Sequence, residues 1–169
     1  GGGSRGREQA VAERGQVRMV GDVRPREPVR RAVRRRDDVG QLMTDPTVDP
    51  PGKRYFFGWG TTSRKLVGPS ICAADLGRID AVLVSHHHHG DNLDPSARAL
   101  LPTWGTTVTT TKGATALGGS CVGLAPWQTT TLEAPGKETI TVTATPCRHG
   151  PVGSDPITGP VVGFSLAWA

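Results

Sequence analysis

No stretch of eighteen apolar residues occurs in the 169-residue chain, so nothing in it is long enough to span a bilayer as a helix. The N-terminus also lacks the apolar core of a secretory signal peptide, which makes the cytoplasm the default compartment. The three cysteines, Cys72, Cys121 and Cys147, include no Cys-x-x-Cys pair, which fits reduced thiols rather than a disulfide framework or a zinc ribbon. Lysine and aromatic residues are both missing from residues 1–40, which hold eleven Arg, six acidic residues and no helical or strand periodicity. Such a stretch cannot bury enough apolar surface to offset its ordering entropy, so an unmatched, disordered or loosely attached tail is expected there. That tail accounts for the whole formal charge of +5, because residues 41–169 carry nine basic and nine acidic side chains. A pI near 9.6 ordinarily suggests a nucleic-acid partner, but a neutral domain has no stripe of charge to track phosphates. Nucleic-acid binding by the Arg tail is therefore the lesser reading. Residues 41–169 suit one domain.

What is present is a histidine cluster in a telling place. His86, His87, His88 and His89 follow the apolar run Ile79-Asp80-Ala81-Val82-Leu83-Val84-Ser85 and precede Asp91-Asn92-Leu93-Asp94. This pattern predicts a buried strand that delivers ligands at its C-terminal end. In an extended chain, residues i and i+2 point the same way, so His86 and His88 would converge on one ion while His87 and His89 face elsewhere. A tag remnant or a solvated His-rich loop would give the same four letters. Against both stands the fifth histidine, His149, which ends a second alternating stretch, Thr139-Ile140-Thr141-Val142-Thr143-Ala144-Thr145-Pro146-Cys147-Arg148-His149. Two strand ends presenting imidazoles are how a sheet assembles a three-His metal site. Cys147 is either a small buried filler or a side chain facing that site.

These elements, with Thr44-Asp45-Pro46 upstream and Thr145 to Gly150 downstream, resemble the metallo-β-lactamase-fold hydrolases over about residues 41–169. The likeness is greatest to the bacterial branch of ascorbate-6-phosphate lactonase-like proteins. Asp45-Pro46-Thr47-Val48-Asp49-Pro50-Pro51-Gly52, Phe57-Gly58-Trp59-Gly60 and Leu124-Ala125-Pro126-Trp127 recur in the same order. The resemblance implies an αββα sandwich of two halves packed sheet to sheet, with a first metal on His86, His88 and His149. The family's His-x-His-x-Asp-His pattern is altered here. Without a gap, Gly90 takes the Asp position and Asp91 the His position; with one extra residue, Asp91 becomes the Asp and Asn92 replaces the His. The second site is thus incomplete, and His89 is a candidate substitute ligand. No Gly-Asp element or later His follows, so the chain is expected to match the first half of the sandwich.

The resemblance further implies a metal-dependent hydrolase of an ester, lactone or phosphoester, with one or two divalent ions, zinc first and manganese as the alternative. Asp91 would orient or deprotonate the attacking water, or bind the second ion. The contrasting reading is a non-catalytic metal-binding fragment. With half the sandwich absent, Val162, Phe164 and Leu166 or their neighbours would lie exposed, giving self-association and little activity. Elsewhere, Asp94-Pro95 predicts an N-cap and first residue of a short helix to Leu101. Strands are predicted over Gln41–Thr44, Thr106–Thr111, Thr139–Thr145 and Val161–Trp168, a helical turn over Lys112–Leu117, and a loop over Asp45–Ser70 whose aromatics line a pocket or anchor the loop. Alternating β and α segments predict an α/β layered class.

Overall fold

Short β-branched runs punctuated by glycine turns and two brief helices build a layered α/β molecule, which the computed structural model describes over residues 32–33, 40–58, 60–152 and 159–168. In chain order the strands and helices are β1 (Ala32–Val33), β2 (Leu42–Thr44), β3 (Arg54–Gly58), β4 (Thr61–Arg64), β5 (Ala81–Leu83), α1 (Pro95–Leu100), β6 (Thr106–Thr110), α2 (Thr111–Leu117), β7 (Cys121–Leu124), β8 (Thr129–Leu132), β9 (Ile140–Pro146) and β10 (Val162–Trp168). One sheet has the order β1-β2-β5-β6-β7 and the second β10-β9-β8, while β3 and β4 form a separate hairpin. In the first sheet, β2, β5, β6 and β7 run parallel and only β1 is antiparallel. Parallel neighbours need crossovers, and α1 and α2 supply two of them.

Alternation decides which sheet faces meet. Ala81 and Leu83 of β5, Val108 of β6 and Leu124 of β7 pack against Leu132, Ile140, Val142, Ala144, Val162 and Phe164 of the second sheet. The opposite face of the first sheet, through Met43, Val82 and Val84, is covered by Leu76, Ile79, Leu93, Ala97 and Leu101. Strand β5 is buried on both faces, which explains its unbroken apolar run. The helices are capped as their sequences demand. Asp94 accepts from the Ala97 N–H at 2.8 Å, and Thr110 from the Gly113 N–H at 2.9 Å.

Several expectations are corrected here. The loop over 45–70 contains the β3–β4 hairpin, and β7 and β8 were not anticipated, because Cys-Val-Gly-Leu and Thr-Thr-Thr-Leu show too little apolar alternation to read as strands. The face of β10 expected to lie exposed is inside the molecule: Val162 and Phe164 are 2% and 8% exposed against the first sheet, with Leu166 half-buried beside them. The chain itself supplies both sheets, so that face needs no further partner. The tail expected over residues 1–40 lies outside the described residues, save that Ala32–Val33 pairs with β2 and Gly40 is buried. Among the described residues no helix is long and apolar enough to cross a membrane.

Candidate metal centre

Strand β5 stops at Leu83 because the chain turns to meet two anchors. The Asp45 N–H donates to the Leu83 carbonyl at 2.9 Å, and the Asp45 carboxylate accepts from the Ser85 N–H at 2.7 Å. Asp45 adopts φ 43°, a left-handed conformation that short polar residues tolerate best, at the C-terminal end of β2. From the other sheet, the Val162 N–H donates to the Ser85 carbonyl at 3.1 Å. The His86–His89 segment therefore leaves the carboxyl ends of parallel strands, where α/β sheets present their ligand sites, with Ser85, the residue before it, pinned from both sides.

The segment is not extended. The His89 carbonyl accepts from the Asn92 and Leu93 N–H groups at 3.2 and 3.0 Å, which curls the chain toward α1. Curling changes which imidazoles meet. Ligand nitrogens of His86, His89 and His149 all lie within 4.8 Å of one another, so the spacing that converges is i, i+3 rather than the i, i+2 expected of a strand. The His89 Nδ1 and His149 Nε2 atoms share a hydrogen bond of 3.1 Å. His88 stands beside this trio, its ring centroid 5.1 Å from that of His86 and 4.4 Å from that of His89. Gly159 presses on it: a Cβ there would come within 2.7 Å of the His88 ring. Asp91 is exposed and outside the trio, yet its charge reaches His89, where it opposes part of the lowering that burial imposes. Cys147 is exposed.

Electrostatics favour neutral rings. Burial first, then the neighbouring imidazoles led by His149, push the His86 pKa down to about 3. His87 and His89 are lowered as well, burial again the main cause, with Asp91 partly opposing it at His89. His86 Nε2 is buried without a hydrogen-bond partner. An orphaned ring nitrogen of a neutral imidazole beside two further imidazoles is what a divalent cation would satisfy, so the residues present fit a metal.

Supports not anticipated from sequence surround the cluster. The Asn92 side chain donates to the His86 carbonyl at 2.6 Å, and Ser85 Oγ lies 2.9 Å from His86 Nδ1. Arg98 holds the His87 carbonyl. Phe57 meets the His89 ring edge-on at a centroid distance of 5.3 Å, so the hairpin forms one wall. Beneath it, Tyr55 donates to Asp49 at 3.2 Å, and its own pKa is raised by burial and by the Asp94 and Asp49 carboxylates. The Tyr55 ring explains Gly90: a Cβ at that position would come within 2.7 Å of it, so a carboxylate side chain there would collide. Asp94 ties this layer together, accepting from the Asp49 N–H at 2.6 Å and pairing with Lys65 at 3.3 Å. Ser85 and Asn92 flank the histidines in sequence, whereas Asp49, Tyr55, Phe57 and Lys65 come from the 45–70 segment, whose aromatics are the ones expected to line a pocket or anchor the loop.

No protein-family model and no curated protein matches the chain. Among solved structures it is similar to a possible metal-dependent hydrolase from Veillonella parvula DSM 2008, with a TM-score of 0.61 and 21% identity over 82% of this chain and 55% of that one. It is also similar to an isothiocyanate hydrolase from Delia radicum gut bacteria, with a TM-score of 0.59 and 18% identity over the same shares. The chain thus spans about 55% of the length of either protein, and what it has in common with them is the fold.

Proposed function

We propose that this chain carries the metal centre of a metal-dependent hydrolase of the metallo-β-lactamase superfamily, in or near its lactonase-like branch, with zinc held by His86, His89 and His149. The observation that carries this reading is the buried, partnerless His86 Nε2 within 4.8 Å of ligand nitrogens from His89 and His149. Leaving such a polar atom unsatisfied costs about 1–3 kcal/mol, and three converging imidazoles are a donor set that zinc prefers. A bound divalent ion would supply Lewis acidity, lowering the pKa of a coordinated water and polarising the substrate's oxygen.

The chain's own side chains set the conditions. Burial and mutual repulsion lower the pKa of His86 and of His89, which favours the neutral ring with one nitrogen lone pair free to bind an ion. His149 is exposed, which leaves an approach for substrate, and Phe57 bounds the His89 side. Asp91 is the carboxylate assigned to orient the water or accept its proton. His88 is assigned a supporting or second-ion role. The substrate class is a small ester, lactone or phosphoester; the fold similarity to proteins named as hydrolases supports hydrolysis, and the lactonase-like motifs support the ester and lactone end of that range. Free Cys72, Cys121 and Cys147 favour the cytoplasm, and exposed Leu66 and Val67 favour self-association over nucleic-acid binding.

Metal analysis of the dialysed chain tests the centre and should return about one zinc per chain. A hydrolysis screen on lactone and phosphodiester substrates, with and without EDTA, tests the activity. Zinc content near zero in the intact chain would sink the reading.

A further inference from the structure

We infer that Ser85 and Asn92 form a hydrogen-bond relay that fixes His86 as the Nδ1–H tautomer, so that Nε2 presents its lone pair to His89 and His149. The direction of every bond in the relay follows from its first member. The His86 carbonyl can only accept, so the Asn92 group 2.6 Å away must be the NH2. That orientation turns Asn92 Oδ1 toward Ser85, whose hydroxyl lies 3.4 Å away. An amide oxygen only accepts, so in this relay the Ser85 hydroxyl gives its single proton to it, across a longer contact than the one to His86. Toward His86 Nδ1, 2.9 Å distant, Ser85 Oγ is left able only to accept. The proton between them belongs to His86 Nδ1, and Nε2 is bare.

The parts are held rigidly enough for this logic to bind. Asn92 is 8% and His86 7% exposed, so water does not compete freely at either. Ser85 is fixed on both sides, its N–H by Asp45 at 2.7 Å and its carbonyl by Val162 at 3.1 Å. The Asn92 N–H is held by the His89 carbonyl, so the residue that directs the His86 tautomer is fastened to the backbone of a second member of the trio. Ser85 and Asn92 are positioning residues. Their consequence for metal binding rests on the metal-centre reading above; the tautomer itself does not.

The test is a long-range proton–nitrogen-15 correlation spectrum of the imidazoles in the metal-free 169-residue chain, with His86 assigned by its loss in His86→Gln. Wild type should show His86 protonated at Nδ1, and Ser85→Thr, which keeps the hydroxyl, should match it. Ser85→Ala removes the acceptor, and Asn92→Ala frees the Ser85 proton to donate to Nδ1, so both should shift His86 toward the Nε2–H form. In parallel, zinc affinity measured against a competing chelator should fall about 10–100-fold in Ser85→Ala and recover in Ser85→Thr. An Nε2–H signal for His86 in wild type overturns the inference, as does an unchanged Nδ1–H tautomer in Ser85→Ala. The predicted tautomers together with no zinc binding in any form would uphold the relay and remove the metal-centre reading instead.

Discussion

At the scale of single side chains, burial makes His86 a poor base and hence a good ligand. Its pKa of about 3 in the fold compares with about 6.5 in an unfolded chain, so between those values the unfolded state takes up a proton that the folded state refuses. Stability of the metal-free chain should therefore fall as pH drops through about 6.5 toward 3, with lowered His87 and His89 adding in the same direction. Thermal melts in EDTA at stepped pH measure this; a melting temperature flat between pH 7 and 4 would contradict it. The same buried ring separates two ligand sets. Zinc affinity should fall in His89→Ala by more than the roughly 10–100-fold typical of losing a supporting partner, and in His88→Ala by less than that loss. Equal losses would favour the i, i+2 pairing that an extended chain implies. The approach of His89 to His86 and His149 was not legible in the sequence, because it depends on the bends at His87 and His88 that the chain makes on leaving β5. That histidines at 86–89 and 149 would meet was legible, since each follows a strand-like run.

Elements show the same division between what pattern reveals and what only packing decides. Strands β5, β6, β9 and β10 and helix α1 were readable, because β-branched runs, alternation such as Ile140, Val142, Ala144, and the Asp94-Pro95 cap are local signals. The β3–β4 hairpin was not. It is tied to the rest of the fold by Tyr55 reaching down to Asp49, and by Lys65 beyond β4 reaching Asp94, at sequence separations of 6 and 29. Asp94 thus serves α1 as cap, the hairpin as counter-charge and Asp49 as acceptor. Asp94→Ala should cost more than the about 1 kcal/mol of a lost N-cap, since the half-buried Lys65 loses its counter-charge and the Asp49 N–H its acceptor. Chemical denaturation measures it, and a loss under about 1 kcal/mol would show the network to be dispensable. Leu83→Ala, in the strand that carries the histidines, should cost about 2–5 kcal/mol by opening a cavity between the sheets.

Across the whole molecule, the described residues pack two sheets against each other, and the proposed metal centre draws on the ends of both. His86 and His89 follow β5 of the first sheet, and His149 follows β9 of the second. The charge is divided as unevenly, the excess sitting in residues 1–40 and none in the layered part. One consequence follows from the histidines being consecutive. Unfolding separates His149 from the others but leaves His86 to His89 as a contiguous chelating tract, so the denatured chain keeps affinity for the same ion. A ligand stabilises a fold only by the ratio of its affinities for the folded and unfolded states. Raising zinc should therefore lift the melting temperature to a plateau once the unfolded tract also fills, instead of climbing with the logarithm of concentration. The four-histidine run would thus make the proposed centre one whose metal rewards folding only within a window of concentration.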